Sequence, residues 1–316
     1  MALNGIDAVV FGVEDMAEAR RFLDDWGVKP IAVTDDLLRY ETRDGSEVIV
    51  RRADDPALPP AIEPGNTLRE IIWGAESQAE LDQTLANLAA RYPVEIGGDG
   101  LSRSRDPNGL SVAFRISKRQ PISVSPTPVN APGNPQRIDR ASPIYDRAHP
   151  IHIGHVVAFA ADLEAMRAFY MDGLGFTLSD EYPGHGIFLR CLPVGGHHNF
   201  FMLNRPGKPG INHVAFTVSD IHEVIGGGIA MSKKGWKTEI GPGRHPISSA
   251  YFWYFLNPLC APLEYYADED HCTENWKPRQ HVRKPENFAE WAIAGGIDGT
   301  TRRQVVATDQ SGRGHA

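Results

Sequence analysis

Cysteine is scarce in this chain. Cys191, Cys260 and Cys272 are the only three in 316 residues. Their spacing fits neither a zinc site nor a disulfide framework, so a reducing, cytoplasmic setting is expected. No apolar run approaches the ~20 residues of a membrane span. The opening Met-Ala-Leu-Asn-Gly-Ile lacks the charged-then-apolar pattern of an export signal. Positive charge is also in short supply. The net charge is −8 and no basic run occurs, which argues against nucleic acid as a partner. What remains is a globular composition, 41% hydrophobic and 23% charged. The length suits about two domains of ordinary size.

The informative feature is a repeat. Four segments share one grammar: a short apolar strand, a helix-capping residue, then an amphipathic run. The first is Ala8-Val-Val-Phe-Gly-Val-Glu-Asp15 and the second Glu70-Ile-Ile-Trp-Gly-Ala-Glu-Ser77. The third runs from His155 to Asp162 and the fourth from His213 to Asp220. Asp15 with Glu18, Ser77 with Glu80 and Asp220 with Glu223 have capping-box spacing. The side chain of the first accepts from an orphan N–H, and the Glu is expected to reach back to the cap. Asp162 caps without that Glu. Leu163, Met166, Phe169 and Tyr170 recur at helical spacing, giving that helix one apolar face.

Each helix is followed by short alternating segments with Gly, Pro or Asp turns, which read as hairpins. The unit is therefore β-α-β-β-β. One unit cannot bury its sheet face alone, and pairing units solves this. The expected fold is α+β, with four βαβββ modules paired into two open-barrel domains. Residues 1–118 form the first pair, 119–149 a Pro-rich linker, 150–270 the second pair and 271–316 a tail. The final Gly-Arg-Gly-His segment is expected to be disordered. Pro285 to Ile293 reads as a short helix with Phe288 and Trp291 on one side, docked on the domain or on a neighbouring subunit rather than acting as a lid. A homo-oligomer is expected.

Candidate metal ligands fall at equivalent places in the repeat. His155 and His213 each stand seven residues before a capping Asp, and Glu264 ends Asn257-Pro-Leu-Cys-Ala-Pro-Leu-Glu264. A lone His opening a strand is more often a surface or core residue, but the repeated offset favours ligation. Glu264 sits between Leu263 and Tyr265, where an unpaired carboxylate would be costly to bury. Two imidazoles and one carboxylate with open positions are what a non-haem Fe(II) oxygenase needs, and Mn(II) accepts the same donors. A catechol can chelate on the open face, with O₂ beside it. His198 is the candidate acid/base near O₂, against a plain hairpin histidine after Gly195-Gly196, and His245 and Tyr254 are candidates for holding the substrate hydroxyl, matched by structural readings until the resemblance below raises them. His197, adjacent to His198, should point to the opposite face and receives no role. His152, His185 and His222 receive none either. Phe188, Trp253, Phe200 and Phe252 are candidates for an apolar pocket wall.

This pattern resembles the vicinal oxygen chelate superfamily, and within it the two-domain type I extradiol ring-cleavage dioxygenases of the 2,3-dihydroxybiphenyl and catechol 2,3-dioxygenase kind. The resemblance covers roughly residues 5–270. It is specific in the C-terminal half: His155, Leu174-Gly-Phe176, Gly195-Gly-His-His-Asn-Phe200, His213, Arg244-His245, Tyr254 and Glu264. The spacings of nine from His245 to Tyr254 and ten from Tyr254 to Glu264 are those the family shows. The N-terminal half departs from it. Ala8, Glu70 and Ala113 stand where His155, His213 and Glu264 stand, and alanine cannot ligate a metal. The resemblance implies one Fe(II) per chain and cleavage of a catechol or polyhydroxylated aromatic ring by O₂, in aromatic compound degradation. Two other readings remain: a 4-hydroxyphenylpyruvate dioxygenase-like oxygenase, whose 2-oxo acid would chelate the metal, and a metal-free binding protein of the same fold.

Overall fold

The computed structural model describes residues 3–297, so the terminal Gly-Arg-Gly-His segment lies outside them. The element order repeats four times. The first module is β1 (Leu3–Val13), α1 (Met16–Trp26), β2 (Lys29–Val33), β3 (Leu37–Glu41) and β4 (Glu47–Arg52). The second is β5 (Thr67–Ala75), α2 (Gln78–Ala89), β6 (Glu95–Ile96), β7 (Ser102–Arg105) and β8 (Ser111–Ile116). The third opens with β9 (His152–Ala160) and α3 (Leu163–Arg167), which continues as a π-helical turn over Ala168–Gly173. It goes on through β10 (Thr177–Tyr182), β11 (Gly186–Arg190), the short β12 (Gly195–Gly196) and β13 (Phe200–Asn204). The fourth is β14 (Gly210–Thr217), α4 (Ile221–Lys233), β15 (Thr238–Arg244), β16 (Tyr251–Phe255) and β17 (Leu263–Ala267). Then come β18 (His271–Cys272), β19 (Arg279–Gln280), α5 (Pro285–Phe288) and β20 (Trp291–Ala294).

The helix starts follow from their caps. Asp15, Ser77 and Asp220 accept from the N–H groups of Glu18, Glu80 and Glu223, and Asp162 from those of Glu164 and Ala165. The reciprocal half of the capping box is not formed as expected. Glu18 turns to Arg21. Glu223 accepts from the N–H and hydroxyl of Ser219, one residue before the cap, and from the N–H of His149. Other donors, near (Arg21, Ser219) and far (His149), take these carboxylates instead.

Two sheets result. Eight strands order as β2-β3-β4-β1-β5-β8-β7-β6, and ten as β19-β10-β11-β13-β9-β14-β17-β16-β15-β20. Between Ile116 and His152 there is no helix or strand beyond a bridge from Ala131 to Asn134. Residues from both sheets share one core. Trp26 of α1 stacks on Tyr265 of β17 at 3.7 Å and meets Phe216 and Phe255 edge-on. Tyr170 stacks on Phe200 and donates to Asp106 of the first half.

Strand alternation divides the ten-stranded sheet into two faces. Val156, Val214, Trp253, Phe255, Leu263 and Tyr265 point into that core. The residues between them, including His155, His213, Tyr254 and Glu264, point the other way, into a cavity. Both faces are covered, which is why these strands read as near-continuous apolar runs.

The tail departs from the sequence reading. Its helix is a single turn, and Trp291 lies on β20, which pairs with β15. A β-branched or aromatic run beside an open sheet edge forms a ladder more readily than a short isolated helix survives.

Candidate metal centre

Three neighbouring strands carry the triad. Ala215 of β14 pairs with His155 of β9 on one side and with Glu264 of β17 on the other. His213 lies two residues before Ala215 and so shares its face. The small Ala215 side chain leaves the centre of the row open. The ladder between β9 and β14 is irregular on both sides of this point, as is common beside functional sites. Gly154 must be glycine by close approach, since a Cβ there would lie 1.9 Å from the hydroxyl of Tyr266. The Tyr266 ring in turn packs on His155.

The three donor atoms form a triangle. His155 Nε2, His213 Nε2 and Glu264 Oε2 are each 3.2 Å from the other two. Donors about 2.1 Å from one ion, at angles near 90–100°, have that separation. All three residues are buried, Glu264 to 1% exposure. Both Glu264 oxygens lack an aligned hydrogen-bond donor, so the rings act on the carboxylate through closeness and charge. Buried polar atoms left unpaired are rare and costly, and a cation at the triangle's centre would satisfy them. Asn212 Oδ1 lies 2.7 Å from His213 Nδ1. With that nitrogen donating, Nε2 keeps its lone pair for a metal. The donor set therefore fits a divalent ion.

The electrostatics agree. Burial lowers the His155 pKa to about 4, against the pull of Glu264, so the ring is neutral as a ligand must be. Burial opposes ionisation of Glu264, but the rings of His155, His213 and His245 outweigh it and hold the carboxyl well below its usual range. Burial, helped by the nearby His155 and His197, keeps the His198 imidazole neutral. Burial and the Glu264 charge keep the Tyr254 phenol protonated.

The other sequence candidates surround this triangle. The His198 ring centroid lies 4.2 Å from that of His155. The Tyr254 ring stands edge-on to His213 at 5.0 Å. Tyr254 Oη is 3.2 Å from His245 Nε2, and His245 Nδ1 donates to the carbonyl of Phe288 at 2.6 Å. A carbonyl only accepts, so that bond puts a proton on His245 Nδ1 and turns Nε2 toward Tyr254. His152 is engaged by Thr217. His185 lines the cavity, a place the sequence reading did not give it.

All six candidates border one cavity of about 810 Å³. Its wall corrects the sequence choice of aromatics. Phe188 lines it, stacked on Phe201 at 3.8 Å and 5°. Phe200 and Trp253 are fully buried in the core on the opposite face. Phe252 is not at the wall but braces His245 from behind, stacked at 4.1 Å. Alternation makes Phe201, not Phe200, the lining residue; the register was not readable from two adjacent phenylalanines. Tyr182, Phe159 and Phe288 were also missed. Phe288 belongs to the tail, which lines the cavity together with Arg283 and Lys284. The segment docks on the domain, as expected, and does so beside the site.

The first half carries different residues at the same register. Ala8 pairs with Ile72, Ile72 with Ala113 and Val10 with Glu70. Ala8, Val10, Leu58, Ile72 and Ala113 form a small apolar cluster, and Glu70 is held by Arg103 and Ser111.

A family model described as the Glyoxalase/Bleomycin resistance protein/Dioxygenase superfamily matches residues 152–271, the segment holding the triad. Metapyrocatechase 2 of Cupriavidus necator is 30% identical over 271 residues, 85% of this chain and 82% of that protein. The Mn(II)-bound glyoxalase from Novosphingobium aromaticivorans superposes with a TM-score of 0.72 at 25% identity, over 93% of this chain and 92% of that one. The 2,3-dioxygenase LapB from Pseudomonas sp. KL28 shares the fold, with a TM-score of 0.70 at 19% identity over 89% and 98% of the two chains. Likeness in sequence along most of both chains, together with a common architecture, makes this protein a member of that superfamily and of its extradiol ring-cleavage dioxygenases.

Proposed function

We propose that this chain opens the ring of a catechol with O₂, using Fe(II) held by His155, His213 and Glu264. The observation that carries this reading is the 3.2 Å triangle of donor atoms on the floor of an aromatic-walled cavity. Bound there, the metal would anchor both catechol oxygens and supply electrons toward O₂. The protein's own groups supply the rest. Tyr254, kept protonated by burial, offers its hydroxyl to a substrate oxygen. His245, its Nε2 facing that hydroxyl, accepts a proton through it, and Phe288 and Phe252 hold the ring in place. His198, buried and neutral beside His155, would take and return the proton that the reaction with O₂ requires. Phe188, Phe201 and Tyr182 orient the ring and exclude water. The cavity is several times larger than a single catechol ring, which suits a substituted substrate.

The test is oxygen uptake with a panel of catechols, using protein reconstituted with Fe(II) or Mn(II). His213→Ala is expected to lose both bound metal and uptake. Full uptake by that variant would refute the assignment. Carbon dioxide release from a 2-oxo acid, without uptake on any catechol, would replace it with the other oxygenase reading.

A further inference from the structure

His197 received no role from the sequence, yet it is fully buried and engaged at both ring nitrogens. Its Nε2 lies 3.3 Å from Asp180 Oδ2, and its Nδ1 lies 3.2 Å from Nδ1 of His198. Its backbone N–H donates to Glu269. Asp180, on β10, is itself completely buried. Arg279 donates to it from its backbone N–H at 2.8 Å and from its guanidinium at 2.7 Å, and His281 Nε2 is 3.1 Å away. β19 brings Arg279 there by pairing directly with Asp180. Burial pushes the Asp180 carboxyl up, but His197 and Arg279 outweigh it and keep it ionised.

We propose that Asp180 and His197 are positioning residues that fix the tautomer and ring orientation of His198. The inference rests on the reading of His198 as the acid/base group. An ionised carboxylate only accepts, so His197 presents Nε2–H to Asp180. Arg279 already pairs with that carboxylate, and we take Nδ1 of His197 as the acceptor toward His198. That Nδ1 then carries a lone pair. The contact with His198 is a hydrogen bond only when His198 bears its proton on Nδ1. His198 Nε2 is therefore the bare nitrogen, on a ring that lines the cavity. His198 enters the reaction ready to accept a proton at Nε2. Once it does so, the new charge is shared through His197 to Asp180, as a carboxylate supports a catalytic imidazole elsewhere.

The experiment uses full-length protein, ¹⁵N-labelled at histidine, with zinc(II) added as a diamagnetic filler. Ring nitrogen shifts assign each tautomer, and His197→Leu and His198→Ala identify the two signals. The expected result is Nδ1–H on His198 in the wild type, lost in His197→Leu. With Fe(II), His197→Leu is expected to lower kcat roughly 10–100-fold at unchanged KM and metal content. His197→Gln, whose side-chain carbonyl can accept from His198, is expected to recover most of that loss. A wild-type His198 with its proton on Nε2, or a His197→Leu enzyme with normal kcat beside an inactive His198→Ala, would overturn the proposal. Normal kcat in His198→Ala would instead sink the reading of His198 beneath it. The tautomer measurement on the wild type decides the matter even where a variant does not fold.

Discussion

Glu264→Gln should make the metal-free protein less stable and abolish its response to metal. The Glu264 side chain is 1% exposed. Burial costs the carboxylate several kcal/mol, but the neighbouring imidazoles outweigh that cost and hold it ionised. A neutral amide of nearly the same shape forgoes that attraction, for a loss of about 2 kcal/mol. With an unfolding entropy of about 2.1 cal/mol/K per residue, the Tm should fall by ~3 °C if the whole chain melts together, and by ~7 °C if the C-terminal half melts alone. Metal widens the gap. At a thousandfold excess over Kd the wild type gains about 4 kcal/mol, whereas the variant, lacking the charged donor, gains little. Calorimetry in chelator and in Fe(II) under anaerobic conditions reads both numbers. A variant more stable than wild type in chelator, or stabilised equally by Fe(II), would refute the reasoning.

Three further outcomes are expected. Burial raises the Asp106 carboxyl to about 7, above its unfolded value near 4; the native state then holds the extra proton, so this contribution is full at low pH and fades as pH rises from ~4 through 7, by at most about 4 kcal/mol. Urea midpoints of the wild type should thus fall between pH 5 and pH 8, and Asp106→Asn should flatten that slope; equal slopes would contradict it. Ending the chain before Val282 removes the Phe288 carbonyl from His245 but leaves Arg279 and His281 on Asp180. Metal content should hold while kcat/KM falls ~10-fold or more, and an unchanged rate would show that the tail does not position His245. Arg103→Leu strips Glu70 of its guanidinium and leaves the Ser111 hydroxyl. Equilibrium unfolding should register a loss of about 2 kcal/mol, discounted for the part-exposed arginine, with kcat unaltered.

The chain's periodicity made much of this protein legible. Each module begins where an Asp or Ser accepts from the first turn of a helix, a signal confined to four consecutive residues. Because each cap sits at a fixed distance along its strand, the offset from His155 to Asp162 and from His213 to Asp220 also fixes which face each His shares with the other. The Glu264 carboxylate stood out for a similar local reason, as a charge inside an apolar run. Elsewhere the determining contacts lie far apart in sequence. Asp180 and Arg279 meet across 99 residues, and Phe288 reaches His245 across 43. No local pattern announces either.

What the sequence determined by itself is therefore the module, its caps, its repetition and the positions where donor atoms could stand. These depend on hydrogen bonds and side-chain alternation within about ten residues. Only the tertiary structure decided which aromatic of a pair faces the cavity, that His197 is tied to Asp180, and that the tail contributes to the cavity wall. Such choices follow from strand register and from the burial of charges, and both are settled only when distant strands pair and leave each polar atom either a partner or none.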